Sequence, residues 1–251
     1  MLKVRIIPKL LLKQGRNVKG IKFTGLRDVG HPVTTARIYN AQGADELLFL
    51  DITASTEHRP ILYEIITRTA QELFMPFCVG GGVRTLEDVR SLLRAGADKV
   101  AINTAAVATP TLIADAATRF GSQCIVVSID FRREEGRGIV YTHGGAVRTD
   151  LEVVPHARRM AEMGAGEILL TSIDRDGTME GYDVDMIADV TRAVRLPVIA
   201  SGGAGTLQHL VDACVRGQTS AVAVGSLFHF TDQSPIKARM FMRMAGVDVR
   251  I

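Results

Sequence analysis

Eight short apolar runs recur along the chain, at Val4–Leu10, Glu46–Ile52, Pro76–Val79, Lys99–Asn103, Cys124–Ile129, Glu167–Ser172, Pro197–Ala200 and Ala221–Gly225. Between them lie amphipathic segments near 31–43, 59–74, 85–95, 110–120, 152–164, 183–194, 206–217 and 235–245. Several of these segments stop at a glycine: Gly43, Gly96, Gly121, Gly164, Gly217 or Gly246. Glycine is the usual residue just past a helix end. The runs are continuous rather than alternating, as expected of parallel strands covered on both faces. Eight strand–helix units in 251 residues predict an α/β fold, a (βα)8 barrel forming one domain over 1–251. A doubly wound sheet usually holds fewer strands.

The second half of the pattern repeats the first. Pro197-Val-Ile-Ala-Ser-Gly-Gly-Ala-Gly205 is an apolar run that ends in glycines and opens into a helix-like segment at Thr206. Pro76-Phe-Cys-Val-Gly-Gly-Gly-Val-Arg84 has the same layout, 121 residues earlier, with Thr85 in the place of Thr206. Glu46-Leu-Leu-Phe-Leu50 parallels Glu167-Ile-Leu-Leu-Thr171, Asn103-Thr104 parallels Gly225-Ser226, and Arg5–Leu11 parallels Cys124–Asp130. This pairing predicts a barrel of two fused half-barrels. It also marks the C-terminal ends of the strands, where barrel active sites form.

At those ends stand Leu11, Asp51, Gly82, Asn103, Thr104, Asp130, Thr171, Asp176, Gly177, Gly202, Gly203, Gly225 and Ser226. Glycines after a strand let backbone N–H groups approach an anion closely. Two phosphate sites are therefore expected, one from Gly82, Asn103 and Thr104, the other from Gly177, Gly203 and Ser226. The same glycines would also serve simple tight turns; the hydroxyl residues beside them in both halves favour phosphate. A carboxylate at Asp130 is placed to act as general acid or base. Asp51 and Asp176 are weaker candidates, since Asp176-Gly177 is also ordinary turn chemistry.

The strand starts are charged. Arg5, Glu46, Lys99 and Glu167 begin four strands, and period-2 alternation turns them toward the barrel axis. Two positive and two negative groups would close the floor as a neutral ring, or else stand solvated at the rim. Overall charge adds little: 30 basic against 27 acidic residues give a net +3, too balanced for a dedicated nucleic-acid protein. Three scattered cysteines, Cys78, Cys124 and Cys214, form neither a disulfide framework nor a zinc pattern. They read as core residues of a protein in a reducing cytoplasm. The N-terminal run Val4-Arg-Ile-Ile7 lacks a signal-peptide core, and no apolar run approaches the roughly 18 residues of a membrane span.

Longer stretches carry a resemblance. Asp45-Glu-Leu-Leu-Phe-Leu-Asp-Ile-Thr-Ala-Ser55, Val79-Gly-Gly-Gly-Val-Arg84, Gly96-Ala-Asp-Lys-Val100, Phe120-Gly-Ser-Gln-Cys124, Gly166-Glu-Ile-Leu-Leu-Thr-Ser172, Asp174-Arg-Asp-Gly177 and Ser201-Gly-Gly-Ala-Gly205 resemble the cyclase subunit of imidazole glycerol phosphate synthase. The resemblance spans nearly the whole chain. It implies a (βα)8 barrel without a cofactor or metal, partnered with a glutaminase in a heterodimer. In that family ammonia enters through a charged floor gate, matched here by Arg5, Glu46, Lys99 and Glu167. It then reacts with a bis-phosphate ribulosyl-aminoimidazole carboxamide nucleotide, giving imidazole glycerol phosphate and aminoimidazole carboxamide ribotide. Lys19, in the glycine-bearing loop Gly15–Gly30, matches a substrate-contacting lysine. Asp98 matches a residue of the glutaminase interface.

One position departs from the pattern. The family's first strand ends in a catalytic aspartate, the twin of Asp130; here it is Leu11, within Pro8-Lys-Leu-Leu-Leu12. Leucine can neither donate nor accept a proton. Lys9, usually small in the family, points into the barrel, where it could pair with Asp51 or Asp130 and narrow the ammonia path. The triple leucine resembles cyclase-like paralogues associated with sugar amidation in surface-polysaccharide pathways, which pass ammonia to a separate amidotransferase. The related isomerase of histidine synthesis fits less well, since it also relies on a first-strand aspartate and needs no floor gate.

Overall fold

In a computed structural model, residues 3–54 and 62–250 are described. Ser55 and the first part of the 59–74 segment lie outside them. Twelve strands occur among the described residues: β1 (Arg5–Lys13), β2 (Arg16–Ile21), β3 (Thr24–Gly30), β4 (Leu47–Asp51), β5 (Phe77–Gly80), β6 (Lys99–Ile102), β7 (Ile125–Glu134), β8 (Arg137–Thr142), β9 (Val147–Glu152), β10 (Glu167–Ser172), β11 (Val198–Ser201) and β12 (Ala221–Val224). Eight of them pair in parallel in the order β1-β4-β5-β6-β7-β10-β11-β12. The β12–β1 pairing, Arg5 with Ala221 through Pro8 with Val224, closes the ring. The fold is thus the (βα)8 barrel, and all eight barrel strands coincide with the apolar runs to within a few residues.

Each strand buries both faces. Outward residues such as Phe49 and Phe77, stacked edge to face at 5.1 Å between centroids, pack beneath the helices in the larger core. Inward residues Ile7, Leu48, Val126, Leu169 and Ile199 join Cys78 in a second, smaller core on the axis. Fully burying a side chain of this size stabilises the fold by about 2–3 kcal/mol, so the continuous apolar runs follow from the demand for two buried faces. The helices begin where the sequence places their caps. Thr85 and Asp88 form a reciprocal capping box at Leu86–Arg94, and Thr206 caps Leu207–Val215. Most glycine stops hold, with positive φ at Gly43, Gly96, Gly121, Gly164 and Gly246. Gly217 does not: the left-handed residue there is Gln218 (φ 55°), and Gly217 is small because a Cβ would lie 2.5 Å from the Ala213 carbonyl oxygen.

The segment 15–30, expected as a loop, is a β-hairpin. β1 runs beyond the barrel rim and pairs with β2 antiparallel, Leu11 with Val18 and Lys13 with Arg16, and β2 pairs with β3. The other half does the same, with β7 continuing into the antiparallel strands β8 and β9. Both hairpins stand at the C-terminal end of the barrel and wall its mouth. Cys78 is buried, while Cys124 and Cys214 are partly buried and pack against the core. No helix among the described residues is long and apolar enough to cross a membrane.

Candidate active site

The inward faces of the barrel strands stack in layers, and two of those layers are charged. At the strand starts Arg5 donates to Glu46 (2.5 Å) and Glu167 (3.0 Å), and Lys99 donates to the same two carboxylates (2.8 Å each). The four side chains expected at the floor therefore close a square in which every cation touches both anions. Glu46 is fully buried there and Glu167 partly so. Burial opposes the charge on Arg5 and Lys99, but the two glutamates overcome it and raise both pKa values. Asp98 stands exposed at the same end, its carboxylate accepting from the Phe77 N–H at 2.8 Å.

At the opposite end a cavity of about 1160 Å³, measured out to its open mouth, is lined by Leu11, Asp51, Gly82, Asn103, Thr104 and Asp130. Phe23 and Leu26 of the first hairpin and Gly144 of the second close its sides. Asp130 sits at the point where β7 leaves the barrel. It accepts from the Asn103 side-chain N–H at 2.9 Å. Burial pushes its pKa up to about 6, against the pull of the Lys9 charge; Asp176 adds to the rise and the Thr171 hydroxyl opposes it. A carboxyl group so tuned can hold or release a proton near neutral pH. Asp51 is buried and accepts from the Ala54 N–H at 3.2 Å. The Thr104 hydroxyl accepts from the His143 N–H at 3.1 Å, which ties the first glycine site to the second hairpin.

A smaller adjoining cavity is lined by Gly177, Gly202, Gly203, Gly225 and Ser226, with Lys9, Lys19, Asp176 and Ser201. The residues expected at the second glycine site, with the lysines beside them, thus come together from five separate chain segments. Ser226 Oγ is buried without a hydrogen-bond partner among the described residues. Lys19, carried in by β2, forms a tight ion pair with Asp176. Gly225 leaves room for it, since a Cβ there would meet Lys19 Cε at 3.3 Å. Lys9 bonds to Asp176 (3.3 Å) and to the Ser201 hydroxyl (2.9 Å). Asp176 is therefore the ion-pair partner that the chain order concealed from the expected pairing of Lys9 with Asp51 or Asp130. Only the electrostatic part of that pairing appears at Asp130. All three charged groups are nearly inaccessible, at 4%, 3% and 2% exposure for Lys9, Lys19 and Asp176. Burial lowers the Lys19 pKa, with Asp176 opposing. Burial would raise Asp176, but the two lysines hold it below the usual carboxylate range.

Ser128 and Ser201, also in these cavities, were not expected. Both share the inward parity of Asp130 and Ile199, which was the signal that could have found them. Among the described residues no group of His, Cys, Asp and Glu has the arrangement of a metal site. A family model described as "Histidine biosynthesis protein" matches residues 5–234, from the first barrel strand to the start of the last helix.

Proposed function

The chain belongs to the histidine biosynthesis protein family, a family of barrel enzymes, and from that premise we propose that it is an ammonia-using, cyclase-type subunit of the imidazole glycerol phosphate synthase kind. A glutaminase would dock at the end where Asp98 and the charged square lie. Ammonia would travel along the barrel axis to a bis-phosphate ligand held between the two glycine sites. The observation that carries this reading is the closed square of Arg5, Glu46, Lys99 and Glu167 at the end opposite both glycine-lined cavities.

Asp130, with its pKa near neutrality, would carry protons at the reacting atoms, with Asn103 orienting it. Gly82 and Thr104 would hold one phosphate, and Gly177, Gly203, Gly225, Ser226 and Lys19 the other. In a complex with a glutaminase, Lys99→Ala is expected to depress glutamine-dependent product formation and to spare formation from added ammonium salt. Equal loss of both would remove the gate.

Leu11 supports a second reading. It lines both cavities at the twin position of Asp130, so cyclisation has one proton-carrying aspartate where the symmetric site would have two. A barrel that takes up ammonia and releases it to a separate sugar amidotransferase needs neither. Steady-state turnover of the ribulosyl nucleotide with ammonium salt decides between them. Turnover supports cyclisation; tight binding without turnover supports delivery.

A further inference from the structure

Lys9 comes from the inner wall of β1, two residues below Leu11, and lines the second cavity beside Lys19 of β2 and Ser201 of β11. Its ammonium group and that of Lys19 share one carboxylate, Asp176, in nearly full burial. Two ammonium groups share one bonded carboxylate, while Asp130 acts on Lys9 only through space, and a buried charge gains most from a directly bonded partner. The same cavity holds the unpartnered Ser226 hydroxyl and the backbone at Gly203 and Gly225.

We propose that Lys9 is a specificity-determining residue of this cavity, that it selects a phosphate monoester dianion, and that Asp176 is the internal anion with which that phosphate competes. The inference deepens the proposed function and rests on its reading of this cavity as a phosphate site. Asp176 holds both ammonium groups. A dianion entering beside Ser226 meets two donors already aimed at a negative group, and they turn from the carboxylate to the phosphate. Charge-assisted bonds from both lysines answer the second negative charge of a monoester. A singly charged diester leaves one lysine on Asp176 and gains less.

The isolated barrel titrated with inorganic phosphate by calorimetry, at a pH where the dianion predominates, tests this without a glutaminase or any turnover. Lys9→Met is expected to weaken phosphate binding about tenfold or more, and Lys9→Arg to restore most of it. Dimethyl phosphate, a monoanion, should lose less than threefold on the same Lys9→Met change, a roughly threefold-or-greater contrast. Asp176→Asn is expected to tighten phosphate binding several-fold, because the competitor is gone. Unchanged phosphate affinity in Lys9→Met, or weaker affinity in a folded Asp176→Asn, overturns the inference and leaves the phosphate site standing. Absence of phosphate binding in every form overturns both. Thermal melts show whether Asp176→Asn folds; if it does not, the Lys9→Met and Lys9→Arg pair alone decides.

Discussion

The two halves of the barrel match closely in backbone and diverge in charge. Asn103 and Gly225, 122 residues apart, have φ, ψ of −112°, −84° and −114°, −86°. Thr85 and Thr206 cap their helices at −133°, 163° and −138°, 161°. Gly81-Gly82 and Gly202-Gly203 all have positive φ. Each half extends its first strand into a hairpin over the barrel mouth. The side chains on this common frame differ. In the second half Asp130 faces Asn103, whereas its twin in the first half is Leu11. Positive charge gathers instead at the second-half cavity, delivered by Lys9 and Lys19 from the first half. A shared backbone fixes where ligand groups can sit, and the inward side chains decide what can be done to them.

The largest expected effect restores the lost symmetry. Leu11→Asp should raise ammonium-dependent turnover of the nucleotide on the order of 100-fold, the scale of a positioned proton carrier. No change would show that the Lys9–Asp176–Lys19 group also blocks the chemistry.

Breaking the square where the halves meet should be felt in stability. Glu46→Gln leaves Arg5 and Lys99 sharing only Glu167, and a loss of about 3 kcal/mol is expected in denaturant unfolding. A loss below about 1 kcal/mol would mean that water enters the floor and solvates the ring.

Asp130→Asn should act with the opposite sign, and only at higher pH. The folded carboxyl titrates at about 6 against 3.8 unfolded. Between those values the folded protein binds more protons, so wild-type stability falls as pH rises through this window and is then level. The asparagine variant escapes that fall. It should be more stable than wild type by about 3 kcal/mol at pH 8, and by well under 1 kcal/mol at pH 4. Unfolding midpoints that keep the same spacing at both pH values would contradict the raised pKa.

The smallest contrast lies in the caps. Thr85 has a reciprocal partner in Asp88, whereas Thr206 has His209 at the same place and a longer bond of 3.4 Å. Thr85→Ala should cost about 1 kcal/mol and Thr206→Ala roughly half as much, read from thermal melts.

Much of this was legible along the chain. The barrel strands follow from apolar runs, and the square from parity, since residues two apart face the same way. The hairpins went unread because β3 is largely exposed and carries no apolar alternation. A signal did exist: Gln14-Gly15 and Glu135-Gly136 sit 121 residues apart, and all four residues have positive φ, as a two-residue hairpin turn demands. The Lys9–Asp176 pair was not legible, because it joins residues 167 positions apart and its carboxylate lies in a turn that has a local explanation of its own.

The small core on the axis has one further consequence. Ile7, Leu48, Val126, Leu169 and Ile199 separate the floor square from the Lys9 layer with a slab of hydrocarbon. An isolated ion crossing such a medium faces tens of kcal/mol of lost hydration, whereas a small neutral molecule gives up only a few hydrogen bonds. The barrel is in this respect an electrical insulator between two charged terminals. Under the proposed function, ammonia would cross this slab as the neutral molecule, leaving a proton at the floor and regaining one only on the far side.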